Sequence, residues 1–170
     1  MKQWDVVYDS RTGNTKRIAE AIYAALPAAA RGTLASLEEA AQKPAPKALF
    51  FGFWVDRGSC SEAAQQYLTT LGSCEVALFA TAGMGGAPEY YEEIAARVMA
   101  LLPQDSGYRG SWFGQGRMPE TVRARYEGRL AQQPGDPRLL RMIETYDRAL
   151  GHPDEADLAG AAAFARELTA

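Results

Sequence analysis

The chain has 170 residues, 47% of them hydrophobic and 23% charged, which suits one soluble domain able to bury a full core. A formal net charge of -3 speaks against a nucleic-acid partner, whose binders concentrate basic residues on one surface. No apolar run approaches the length of a membrane span, and the polar start at Lys2 and Gln3 has no signal-peptide core, so a cytoplasmic protein with no membrane insertion is expected.

The apolar run Trp4 to Asp9 predicts a first, central strand. Ser10, Arg11, Thr12, Gly13, Asn14 and Thr15 follow at once, and an amphipathic stretch from Lys16 to Leu26 comes next. A strand, a tight turn and a helix start build an anion site. The first backbone N–H groups of a helix lack internal partners, and the helix dipole adds partial positive charge there. The hydroxyls of Ser10, Thr12 and Thr15 add donors, and Gly13 lets the backbone approach a ligand at positive φ. The six residues therefore read as a phosphate cradle; an ordinary helix N-cap is the simpler alternative. They are neither a nucleotide P-loop, which needs Gly-Lys-Ser/Thr, nor a GxGxxG dinucleotide turn.

Ile18, Ile22 and Leu26 recur on one helix face until Pro27 stops it. Gly32 to Leu37 is a weak strand, and Leu37 to Gln42 a short helical turn. Lys47 to Phe53 is the clearest buried strand, leading into the loop Trp54 to Cys60 and a helix from Ser61 to Leu71. Cys74 to Thr81 is a fourth strand, followed by the Gly-rich stretch Ala82 to Pro88 and a helix to about Leu102. Tyr108 to Phe113 is the fifth strand. Strands alternating with helices imply an α/β fold, a doubly wound five-stranded parallel sheet in the order 2-1-3-4-5. Beyond it, residues 113–153 read as a helical extension with helices at Pro119 to Leu130 and Arg138 to Leu150, before a closing helix capped by Asp154, and this tail is expected to pack over the sheet and one edge of the site.

Ligands of such sheets bind outside the C-terminal strand ends, where strand order reverses. That rule assembles three loops: Ser10–Thr15, Gly52–Cys60 and Thr81–Pro88. Trp54 offers a flat aromatic face beside flexible Gly58, and Gly83, Gly85 and Gly86 offer free backbone N–H groups. A phosphate socket beside an aromatic face and a glycine-rich wall describes a pocket for a planar heteroaromatic ring on a monophosphorylated chain. Flavin mononucleotide (FMN) meets that description.

Tyr8-Asp9-Ser10-Arg11-Thr12-Gly13-Asn14-Thr15 resembles the flavodoxin signature, a strand leading into a Ser/Thr-x-Thr-Gly-x-Thr phosphate loop. Gly52-Phe53-Trp54-Val55-Asp56-Arg57-Gly58 resembles the second loop of a bacterial flavodoxin-like subgroup, some of whose members are associated with haem or bilin metabolism. The resemblance implies a flavodoxin-like fold. It implies that Ser10, Arg11, Thr12, Gly13, Asn14 and Thr15 bind the FMN phosphate. Trp54 would stack on the ring, Val55, Asp56 and Gly58 would line its edge, and Thr81, Ala82, Gly83, Met84 and Gly85 would form the other wall. No aromatic stands in the third loop, so Met84, Tyr90 or Tyr91 fills that face or leaves it open.

The expected function is electron transfer from FMN to a redox partner protein. The alternative is a haem- or tetrapyrrole-binding protein with His152 as the axial ligand, and a third reading is a flavodoxin-like quinone reductase. The basic tail residues Arg117, Arg123, Arg125 and Arg129 suit tetrapyrrole propionates, an acidic partner, or simple solvation. Cys60 and Cys74 lack any metal-ligand spacing and read as buried thiols in a reducing compartment.

Overall fold

Side chains alternate across a strand, so the neighbours Phe50 and Phe51 must face opposite sides, and both are completely buried. Only a sheet covered on both faces satisfies that. A computed structural model describes residues 1–170. Its strands are β1 (Trp4–Tyr8), β2 (Arg31–Ser36), β3 (Ala48–Trp54), β4 (Glu75–Ala82) and β5 (Gly107–Gln115). All pair in parallel in the order β2-β1-β3-β4-β5, the order expected from the alternating pattern.

The helices are α1 (Asn14–Ala25), α2 (Leu37–Ala40), α3 (Glu62–Thr69), α4 (Pro88–Met99), α5 (Glu120–Gln132), α6 (Pro137–Ala149) and α7 (Glu155–Thr169). On one face Leu49, Phe51, Phe53 and Leu78 bury Ala64 and Leu68 of α3 with Ile94 and Val98 of α4. On the other, Val6, Phe50, Ala77 and Phe79 bury Ile18 and Ile22 of α1 with Ala161 and Ala165 of α7. Each fully buried Phe, Leu or Ile stabilises the fold by about 1.5–3 kcal/mol. The central strand leaves room for this packing at Gly52, where a Cβ would fall 2.1 Å from the Phe79 ring.

The structure departs from the sequence reading at β5. That strand runs on to Gln115, two residues past Phe113, with Gly110 at φ 126 and a register shift opposite Val76 and Ala77. As an edge strand carrying Gly107, Gly110 and Gly114, it lacks the alternation that marks strands in sequence. Gly114 is required because a Cβ there would meet the Trp112 ring at 2.4 Å. A 3₁₀ turn, Ala28–Ala30, joins α1 to β2. In the tail, α5 and α6 form a hairpin tied by Arg123 Nε donating to Asp147 Oδ1 at 2.9 Å. Asp154 and Asp157 form the capping box that starts α7.

Candidate functional site

The loop between β1 and α1 is shaped by one hydroxyl. Ser10 Oγ accepts from the N–H groups of Gly13, at 3.1 Å, and Lys16, at 3.3 Å. Gly13, the N-cap, sits at φ 93, a left-handed conformation that strains any residue with a Cβ. The N-cap donates no side-chain cap to α1, and the first turn carries no acidic residue. The N–H groups of Thr12, Asn14 and Thr15 therefore find no acceptor within the chain. An open donor set at a helix N-terminus is the arrangement that takes an anion.

Beside this loop lies a cleft of about 370 Å³. Of the residues expected at the site, Arg11, Thr12, Asn14, Trp54, Val55, Gly58, Thr81, Ala82, Gly83, Met84 and Gly85 line it, so the three strand-end loops do converge. Four others stand behind the wall. Ser10 and Gly13 shape the loop. Thr15 is buried, its Oγ1 paired with Thr81 Oγ1 at 2.9 Å. Asp56 is the first residue of a tight turn: its N–H donates to Ser59 O at 2.8 Å, and Ser59 N–H returns to Asp56 O at 2.9 Å. Between them Arg57 at φ 50 and Gly58 at φ 77 make the two positive-φ positions of a type I′ turn. The Gly58 carbonyl accepts from Arg97 Nη1 at 3.0 Å, so α4 holds this turn in place. The Arg11 guanidinium lies over the Trp54 ring, 5.5 Å from its centroid.

The tail, which the sequence reading packs over one edge of the site, supplies a wall there. Gly116, Arg117, Met118 and Pro119 form a strap across the cleft directly after β5. Asn14 Nδ2 donates to Arg117 O at 2.8 Å, and Arg117 N–H donates to His152 O at 2.9 Å, which ties the strap to both the phosphate loop and the tail. Arg17 Nη1 donates to Pro153 O at 3.0 Å and braces the same turn. Gly116 must be glycine, since a Cβ would meet Asn14 Nδ2 at 2.8 Å and Thr81 Cβ at 3.2 Å. Met118 packs on Gly83, and the Tyr126 hydroxyl of α5 donates to Met84 Sδ at 3.8 Å. Extending the strand-end rule to a fifth strand ending at Gln115 is the signal that finds this strap.

On the third-loop side Met84 and Tyr90, 40% and 36% exposed, line the cleft, while Tyr91 turns away and stacks on Phe113 at 4.8 Å. Arg11, expected at the site, lines the cleft together with Arg57 and Arg117, and no acidic residue does. His152 stands outside it, its Nδ1 2.6 Å from Asp157 Oδ2 within the turn that begins α7. The Asp154 carboxyl there lies below the usual carboxylate range, chiefly because it accepts from the Asp157 backbone N–H. Both thiols are free and buried, and burial pushes each upward, Cys74 to about 11. Neither is poised for redox chemistry. No helix is long and apolar enough to cross a membrane.

Residues 5–166 match the Flavodoxin domain family. A flavodoxin-like domain-containing protein, BilS, from Clostridium symbiosum is 32% identical over 92% of this chain and 90% of its own. BilS from Clostridioides difficile is 28% identical over 96% of this chain and 94% of its own. Among solved structures, a flavodoxin from the domain Archaea superposes with a TM-score of 0.51 at 15% identity, covering 98% of this chain and 96% of the other.

Proposed function

This chain belongs to the flavodoxin domain family, and we propose that it binds FMN in the cleft and passes electrons to a partner oxidoreductase. The observation that carries the reading is the pair of unpartnered N–H groups of Thr12 and Asn14, two cleft-lining residues, with that of Thr15 behind them at the start of α1, beside a cleft with an indole wall. A monophosphate fits that donor set. Charge-assisted hydrogen bonds from backbone N–H groups to an anion are about twice as strong as neutral ones. Arg11 and Thr12 line the same cleft and would add a guanidinium and a hydroxyl to the cradle.

Trp54, Val55 and Gly58 present one wall for a flat ring, and Ala82 to Gly85 present the other. When bound, FMN supplies one- and two-electron chemistry that no side chain of this protein provides. The protein orients the ring and tunes its surroundings. The type I′ turn at Arg57 and Gly58, fixed by Arg97, sets which backbone groups face the ring edge. The strap of Gly116 to Pro119 narrows the opening and limits water at the ring.

A second reading follows from the resemblance of Gly52–Gly58 to a loop of tetrapyrrole-associated flavodoxin-like proteins: the electrons serve a partner in tetrapyrrole metabolism. Direct haem ligation has no support at the cleft, because His152 lies elsewhere and is engaged with Asp157. The absorbance spectrum of the protein reconstituted with FMN tests the proposal. Bound-flavin bands that survive gel filtration are expected; a protein that emerges without flavin, or takes up haem with a Soret band instead, overturns it.

A further inference from the structure

The charges at the cleft mouth have the opposite sign to the chain as a whole. The protein carries a formal net charge of -3. Its cleft is lined by Arg11, Arg57 and Arg117 and by no aspartate or glutamate. All three side chains belong to exposed residues, and none forms an ion pair. Three arginines elsewhere do pair with acids, Arg123 with Asp147 and Glu127, Arg97 with Glu93, and Arg109 with Glu75, so what sets the cleft apart is three unpaired arginines on three loops lining one opening. A phosphate monoester in the β1–α1 loop carries about -1.5 to -2 at pH 7, so the three arginines on three loops leave the mouth with net positive charge.

Arg57 and Arg117 are also held by their backbones. Arg57 occupies a corner of the type I′ turn, and Arg117 is bonded through its own N–H and carbonyl to His152 and Asn14. The same cleft is lined by the partly exposed apolar side chains of Met84 and Tyr90. Methionine, tyrosine and arginine together make the composition enriched in protein–protein interfaces.

We propose that the cleft mouth is the docking surface for an electron-transfer protein that presents an acidic patch, held by Arg57 and Arg117 with an apolar contact at Met84 and Tyr90. The proposal rests on the reading that the cleft holds FMN. A positive mouth on a negative protein steers the partner so that the flavin edge, and not another face, meets it. Rim charges of this kind act mainly on association rate and are screened within about 10 Å at 0.1 M salt.

The test compares two one-electron acceptors, plastocyanin, which is acidic, and cytochrome c, which is basic. The FMN-loaded protein is first reduced with dithionite. Oxidation of each flavin then reduces two acceptor molecules and releases the flavin's protons to water. With a cationic mouth, the bimolecular rate for plastocyanin falls by roughly tenfold from low to physiological salt, while that for cytochrome c does not fall. The Arg57→Glu, Arg117→Glu double variant reverses this order. The Arg109→Glu variant, altered at the opposite end of the sheet beside Glu75, keeps it.

A readout without flavin is available in the amide shifts of the protein titrated with a hexaglutamate peptide. Shifts concentrated at 57–58 and 116–119 and absent in the double variant support the proposal. Rates that fall with salt for cytochrome c but not for plastocyanin, rates insensitive to salt for both, or peptide-induced shifts scattered over the surface overturn it. Failure of the FMN reading is distinct, because no flavin spectrum would then be present before the kinetics begin.

Discussion

Thr15 and Thr81 join the phosphate loop to β4 through one hydrogen bond between hydroxyls, 2.9 Å long, with the two residues only 1% and 3% exposed. Thr15→Val keeps the side-chain shape but deprives the Thr81 hydroxyl of its partner in a site that water does not reach. A buried hydroxyl left without a partner costs about 1–3 kcal/mol. In a chain of this size each kcal/mol lowers the melting temperature by roughly 2–4 °C, so a fall of about 2–12 °C is expected for Thr15→Val, and a similar one for Thr81→Val. The double variant removes donor and acceptor together and replaces them with methyl groups of the same shape, which is close to neutral. Thermal unfolding of the wild type, both single variants and the double variant completes the cycle. The reasoning fails if the double variant loses as much as the sum of the singles, because the two hydroxyls would then act independently.

Gly52→Ala drives a Cβ to 2.1 Å from the fully buried Phe79 ring and should destabilise by about 1–3 kcal/mol, read as a lowered melting temperature. Gly83→Ala meets the side chain of Met118 at 2.3 Å, so it should push the strap outward, and Met118→Ala added to it should restore the melting temperature. No recovery in that double variant would mean that the strap is not what Gly83 accommodates. Burial raises Cys74 from an ordinary value of 9.0 to about 11 and Tyr67 from 10.0 to about 12. Both are held protonated in the folded state above the pH at which the unfolded chain releases them, so stability is full below pH 9.0 and is lost as pH rises toward 11 and 12. Melting temperatures measured from pH 8 to 11 should fall through that range; a flat profile contradicts the burial of both groups.

The sheet was legible because Leu49 to Phe53 and Val76 to Ala80 are buried on both faces and so form unbroken apolar runs. The three loops were legible because topology places them, whatever their side chains do. What sequence does not show is which way a side chain turns. Ser10 and Thr15 have the hydroxyls of phosphate ligands, yet Ser10 shapes the loop and Thr15 bonds Thr81. Asp56, read as a ring-edge contact, is the first residue of the tight turn whose corners are Arg57 and Gly58, a backbone arrangement that sequence does not display. The strap was hidden because Gly110, Gly114 and Gly116 break the strand pattern at the end that positions it. Arg117, read as one of several tail charges, reaches the cleft only through two backbone bonds to distant residues.

The phosphate cradle is tested most directly by titrating the purified protein with FMN and with riboflavin, which share the ring and differ in the phosphate. The unpartnered N–H donors at the start of α1 should contribute about 3 kcal/mol to an anion, so FMN should bind one to one and at least ~100-fold more tightly than riboflavin. Equal affinities for the two, or binding of neither, would contradict the assignment of Ser10 to Thr15 as the phosphate loop.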